Sequence, residues 1–156
     1  MNKISKTNPA KASMRVNVNS FMMGSLFFIL TLIWTLNPHK FSPIIIGQIV
    51  YAIPLLFVSS LAYSKIGYSE YTRSWDTFAW YTHNIGSIFI LNVVGLMTAL
   101  QFKDIAIAYF GLIVLLMGAY SIINLYNRPD LQSEKLFKFV VFISVLMVGG
   151  ILPLAF

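Results

Sequence analysis

The chain has no cysteine, and among its 156 residues only five are acidic and two are histidine. The first absence excludes a disulfide framework and any cysteine-ligated metal site. Charged residues make up 10% of the chain and hydrophobic residues 58%, where soluble domains carry about 25% charge. So few polar groups cannot coat a globule in water, so most of the surface must meet lipid. Disorder is excluded by the same composition, because disordered chains are poor in apolar residues. No Walker loop, dinucleotide fingerprint, Gly-x-Ser-x-Gly or His-Glu-x-x-His motif occurs in the sequence. No internal repeat or low-complexity tract is present.

What the chain does have is five apolar runs, about 20–36, 44–64, 78–100, 105–126 and 136–156. A helix rises about 1.5 Å per residue and a bilayer core is about 30 Å thick, so roughly 20 residues span it. Backbone amides in lipid must bond internally, and the runs do not alternate as barrel strands do. The expected fold is therefore an all-α polytopic bundle of five transmembrane helices. The expected organisation is a basic cytoplasmic segment over 1–19 and a single five-helix domain over 20–156. Asn37-Pro38, Ser42-Pro43, the stretch Lys65–Asp76, Gln101–Asp104 and Asn127–Asp130 separate the runs. The N-terminal run is longer than a signal-peptide core and lacks a small-x-small cleavage site, which predicts an uncleaved signal anchor.

The net charge of +6 resolves into an orientation signal. With five spans, Lys3, Lys6, Lys11, Arg15, Lys65, Arg73, Arg128, Lys135 and Lys138 fall on one side, and only Lys40 and Lys103 on the other. Positive residues stay in the cytoplasm, so the N-terminus is expected inside and the C-terminus outside. Leaving the first run out of the membrane would split the same residues nearly evenly and erase the signal. Tyr63, Tyr68, Tyr71, Trp75, Trp80, Tyr81 and Tyr126 group near the inner interface, and Trp34 and Tyr109 near the outer one, as headgroup anchors do. Compact loops favour a prokaryotic inner membrane. Nucleic acid is not an expected partner.

No Asp, Glu, Lys or Arg lies at the centre of a run, which argues against proton-coupled carriers, pumps and voltage sensors. His39 and His83 belong to opposite leaflets and cannot jointly hold a haem. His83 shares a helix face with Asp76 and Trp80, a stripe suited to a proton, a headgroup or a metal; an interfacial histidine bonded to a neighbour is the plainer reading. The candidate polar cluster comprises Asp76, His83, Asn84, Ser87, Asn92 and Asn124. Asn84, Asn92, Gly95 and Ala99 fall on one face of the third helix, suited to helix packing or to an inward-opening polar vestibule. Pro54 is expected to kink the second helix, and Gly149-Gly150 with Pro153 to weaken the end of the fifth. No catalytic, cofactor-binding or metal-binding residue is assigned, and no cofactor is expected.

The function these features favour is an accessory, assembly or interaction subunit with a membrane protein partner, or a homo-oligomer, in the bilayer. The alternatives are a small oligomeric transporter or channel, and a membrane enzyme or lipid-headgroup binder built on Asp76 and His83.

Overall fold

The computed structural model describes residues 9–36, 40–66, 72–127 and 132–155. Among the described residues there is no strand. The elements are α1 (Pro9–Leu36), α2 (Pro43–Lys65), α3 (Thr72–Ala99), α4 (Lys103–Asn127) and α5 (Gln132–Leu146). A π-helical turn, Met147–Ile151, and a 3-10 turn, Leu152–Leu154, continue α5. Among the described residues, five segments, the shortest of 23 residues, are long and apolar enough to cross a bilayer. The protein is all-α and multi-pass. Lys3, Lys6, His39, Tyr68, Tyr71 and Arg128, used in the orientation and anchor arguments, lie outside the described residues.

The largest differences from the hydropathy reading fall at three boundaries. Helix α1 starts at Pro9 rather than near Ser20. Proline is tolerated in a first helical turn, and Ala10, Lys11, Met14 and Arg15 are good helix formers. Hydropathy ended the run at polar residues that the helix continues through. Helix α3 likewise starts at Thr72 rather than at Phe78 and takes in Asp76. At the other end, α-helical geometry stops at Leu146, and the Leu152 amide bonds five residues back, to the Met147 carbonyl. Pro153 has no amide hydrogen to resume the ladder. Helix α2 begins where expected: Ser42 caps it, its Oγ accepting from the Ile44 amide at 3.3 Å, with Pro43 in the first turn.

The residues up to Ser87 and those from Ile88 onward form two compact units, with α3 running through the boundary. In the first unit, α1 turns Ala12, Asn19, Leu26 and Ile33 inward at seven-residue spacing, which keeps one helix face on a neighbour. Helix α2 buries Ile45, Ile49, Ala52, Leu56, Ser59 and Ala62. Its approach to α3 is close: a Cβ at Gly86 would sit 3.0 Å from Leu56 Cγ and 3.4 Å from the Ala52 carbonyl. The Ser59 hydroxyl donates to the Ala79 carbonyl at 2.9 Å. Small residues here let two backbones approach, and a hydroxyl bond across the contact adds to it.

The second unit is built around Phe110 of α4, buried with Ile88, Phe142 and Leu146. Its ring occupies the space that side chains at Gly95 and Gly150 would need. Gly150 lies in the π-helical turn, so the irregular end of the fifth helix is also where the aromatic ring fits. The Tyr109 hydroxyl donates to the Leu91 carbonyl at 3.2 Å, joining α4 to α3. Lys135 caps the end of α4 by donating to the Asn124 carbonyl, one of the last helical carbonyls that lack an internal partner.

Candidate functional site

Two of the predicted polar residues, Asp76 and His83, enter a cluster with three residues that the sequence reading did not single out as site residues. Arg15 and Asn19 stand one turn apart on α1, Tyr63 near the end of α2, and Asp76 and His83 two turns apart on α3. The Arg15 Nη1 donates to the Tyr63 hydroxyl at 2.5 Å, and its guanidinium carbon lies 5.1 Å from the centre of the Tyr63 ring. The same Nη1 is 4.0 Å from Asp76 Oδ1. That is an ion pair without a hydrogen bond.

Asn19 is fully buried and both ends of its amide are used. Its Nδ2 donates to the Leu56 carbonyl at 3.3 Å, and its Oδ1 lies 2.6 Å from His83 Nδ1. A carbonyl can only accept, so the Leu56 bond orients the amide, and Oδ1 must accept from a protonated Nδ1. The tautomer of His83 is thus set by α2 through Asn19, leaving Nε2 free to act as an acceptor when the ring is neutral. The Tyr63 and His83 rings meet edge to face, with centres 6.4 Å apart. The cluster grades from closed to open: Asn19 and Tyr63 are buried, whereas the side chains of Arg15 and Asp76 keep 26% and 40% of their exposure.

The other predicted residues do not join it. Asn84 donates back to the Trp80 carbonyl at 2.6 Å and Ser87 to the His83 carbonyl at 2.7 Å, both within α3. Asn92 and Asn124 belong to the second unit. There the fully buried Asn92 donates to the Val145 carbonyl at 3.4 Å, tying α3 to α5 beside the π-helical turn. Trp80, on the same helix between Asp76 and His83, meets Tyr81 edge to face. Pro54 lies within α2, which continues through it to Lys65. Among the described residues, no three His, Cys, Asp or Glu side chains converge as metal ligands would.

A signal for the missed residues existed. Asn19 falls on the same seven-residue repeat as Ala12, Leu26 and Ile33, so it occupies a buried seam position in an otherwise apolar register. Arg15 precedes it by one turn. The seam is visible only once the helix is allowed to start before the hydropathy threshold.

Glycines outside the packed seams form a second feature. Gly111 and Gly118 share a face of α4 with Leu115 and Ile122, and a Cβ at either glycine would meet nothing within 4 Å. Leu115 and Ile122 are 66% and 68% exposed. On α1, Gly24 opens an apolar groove between Phe21 and Phe28, and a Cβ there also meets nothing.

Comparison with protein-family models, curated proteins and solved structures finds no match for this chain.

Proposed function

We propose that the protein is an accessory subunit of the membrane that acts by docking onto another transmembrane helix. The observation that carries this reading is the contrast between two sets of glycines. Gly86, Gly95 and Gly150 have side chains or backbone of their own unit where a Cβ would stand, whereas Gly24, Gly111 and Gly118 have nothing. An exposed helical glycine costs about 1 kcal/mol relative to alanine. Small residues on an open helix face suit the close backbone approach of a neighbouring helix. The polar side chains support the same reading: Asn19, Ser59, Tyr63, His83, Asn92 and Tyr109 each bond to another helix of their own unit.

The chain lacks cysteine, so a single Leu115→Cys variant reports on one face. It should form a cross-linked adduct in native membranes, and the adduct mass distinguishes a second copy from another protein. Adding Gly111→Leu and Gly118→Leu should abolish the adduct while the chain stays folded. An adduct that survives both leucines would sink the reading.

A transport role rests on the π-helical turn beside buried Asn92, since interrupted helices line substrate paths in many carriers. It predicts flux in reconstituted vesicles that falls in Asn92→Leu.

The proposed location is a prokaryotic inner membrane, with the first helix an uncleaved signal anchor. The nine-to-two distribution of Lys and Arg supports a cytoplasmic N-terminus and an external C-terminus. A reporter fused after Phe156 should then be active only outside the cytoplasm.

A further inference from the structure

The open edge of the Arg15 cluster has the chemistry of an anion site. It lies where the start of α1, the end of α2 and the start of α3 meet, held together by Ala12, Ala62, Tyr63, Ile66 and Ala79. Arg15 is anchored by one nitrogen: Nη1 makes both the Tyr63 bond and the long contact to Asp76. Those contacts leave its Nε and Nη2 hydrogens unused, on a side chain that keeps 26% of its exposure. A guanidinium presents a planar fork of donors matched to two oxygens of a phosphate. The Tyr63 ring beneath it and the bond to the Tyr63 hydroxyl hold the fork in place ahead of any ligand.

The surroundings carry the same sign. Lys11 lies one turn before Arg15, Lys65 ends α2, and Arg73 opens α3, all exposed. The first turns of α1 and α3 hold no acidic residue. Asp76 is the one acidic side chain among the described residues of these three helix ends, and at 4.0 Å it is a loose partner that an oxyanion can replace. Glu70 lies outside the described residues. The height of the site selects the source of the anion. It is at the end of membrane-length helices, with the exposed Trp75 next to Asp76 in the chain, where headgroups are the abundant phosphates and tryptophan prefers to sit.

We infer that Arg15, seated on Tyr63, with Lys11 one turn before it and Arg73 in the first turn of α3, binds the phosphate of an anionic lipid headgroup. The site does not depend on the docking face of α4. A general attraction of basic residues to an anionic leaflet would weaken about equally with each charge removed. A site makes Arg15 unequal.

The test is lipid-dependent thermal protection of the full chain in neutral detergent, titrated with phosphatidylglycerol, phosphatidylcholine or inorganic phosphate. Phosphatidylglycerol should protect at far lower concentration than phosphatidylcholine. Arg15→Gln should weaken its apparent affinity about tenfold, Arg15→Lys should restore only part, and Lys11→Gln should change it less than threefold. Asp76→Asn should tighten binding several-fold, a gain that misfolding cannot imitate. Equal losses in Lys11→Gln and Arg15→Gln, with no gain in Asp76→Asn, would overturn the site in favour of a diffuse field. Protection by millimolar inorganic phosphate that equals the lipid's and strengthens in Asp76→Asn would overturn the lipid assignment in favour of a soluble phosphate.

Discussion

The two units close their helices by different means. In the first, the contacts are small residues laced with hydrogen bonds: Ser59 to Ala79, and Asn19 to both Leu56 and His83. In the second, beside the Asn92 and Tyr109 bonds, one large ring fills the hollows at two glycines, Gly95 and Gly150, and the helix that carries the second glycine leaves α-helical geometry there. Lipid is as apolar as leucine, so neither unit can rely on expelling water to hold its helices together. Packing and interhelical hydrogen bonds remain, and each unit emphasises one. The hydrogen-bonded solution places polar chemistry in the first unit, whose open edge carries Arg15. The ring-and-glycine solution concentrates shape specificity in the second, whose α4 also presents Gly111 and Gly118 outward.

The contrast can be broken by substitution. Phe110→Ala should have the largest effect, about 3–5 kcal/mol, because it empties the centre of the second unit. Denaturation in detergent would read it, and a loss below 1 kcal/mol would show that the ring is not the keystone. Asn19→Leu should come next, at about 1–3 kcal/mol, since it leaves the half-buried His83 Nδ1 hydrogen without its acceptor. Adding His83→Leu should recover part of that loss; simple additivity of the two would mean the contact is not energetically coupled. Ser59→Ala should cost only about 0.6 kcal/mol, the average for an interhelical hydrogen bond in lipid. Gly118→Ala should be smallest and opposite in sign, neutral or stabilising by up to about 1 kcal/mol in the isolated chain. A clear destabilisation there would mean that Gly118 serves the protein's own packing.

Much of the architecture was legible in the sequence. The length of an apolar run depends on neighbouring residues alone, so five membrane-length helices follow from it. The expected weakness of the fifth helix at Gly149-Gly150 and Pro153 appears as a change of helix type after Leu146. The first helix shows where hydropathy fails. It treats Arg15 and Asn19 as outside the run because it scores each residue against lipid. In the folded unit Asn19 meets a carbonyl and a histidine instead, and the helix continues outward past it to Pro9.

The candidate site divides along the same line. That Asp76 and His83 share a face is a property of helical spacing, fixed by their separation along the chain. That they face Arg15 and Asn19 is not, because the histidine contact joins residues 64 positions apart. Asn84 and Ser87 looked equally suited to the cluster, yet each bonds to its own helix, a choice that depends on which neighbour lies opposite. The sequence by itself determined that five apolar runs are long enough to span a bilayer and which polar residues stand between them, because these are sums over local residues. Only the tertiary structure decided which polar groups meet, since in lipid a buried polar atom takes the nearest partner that packing supplies.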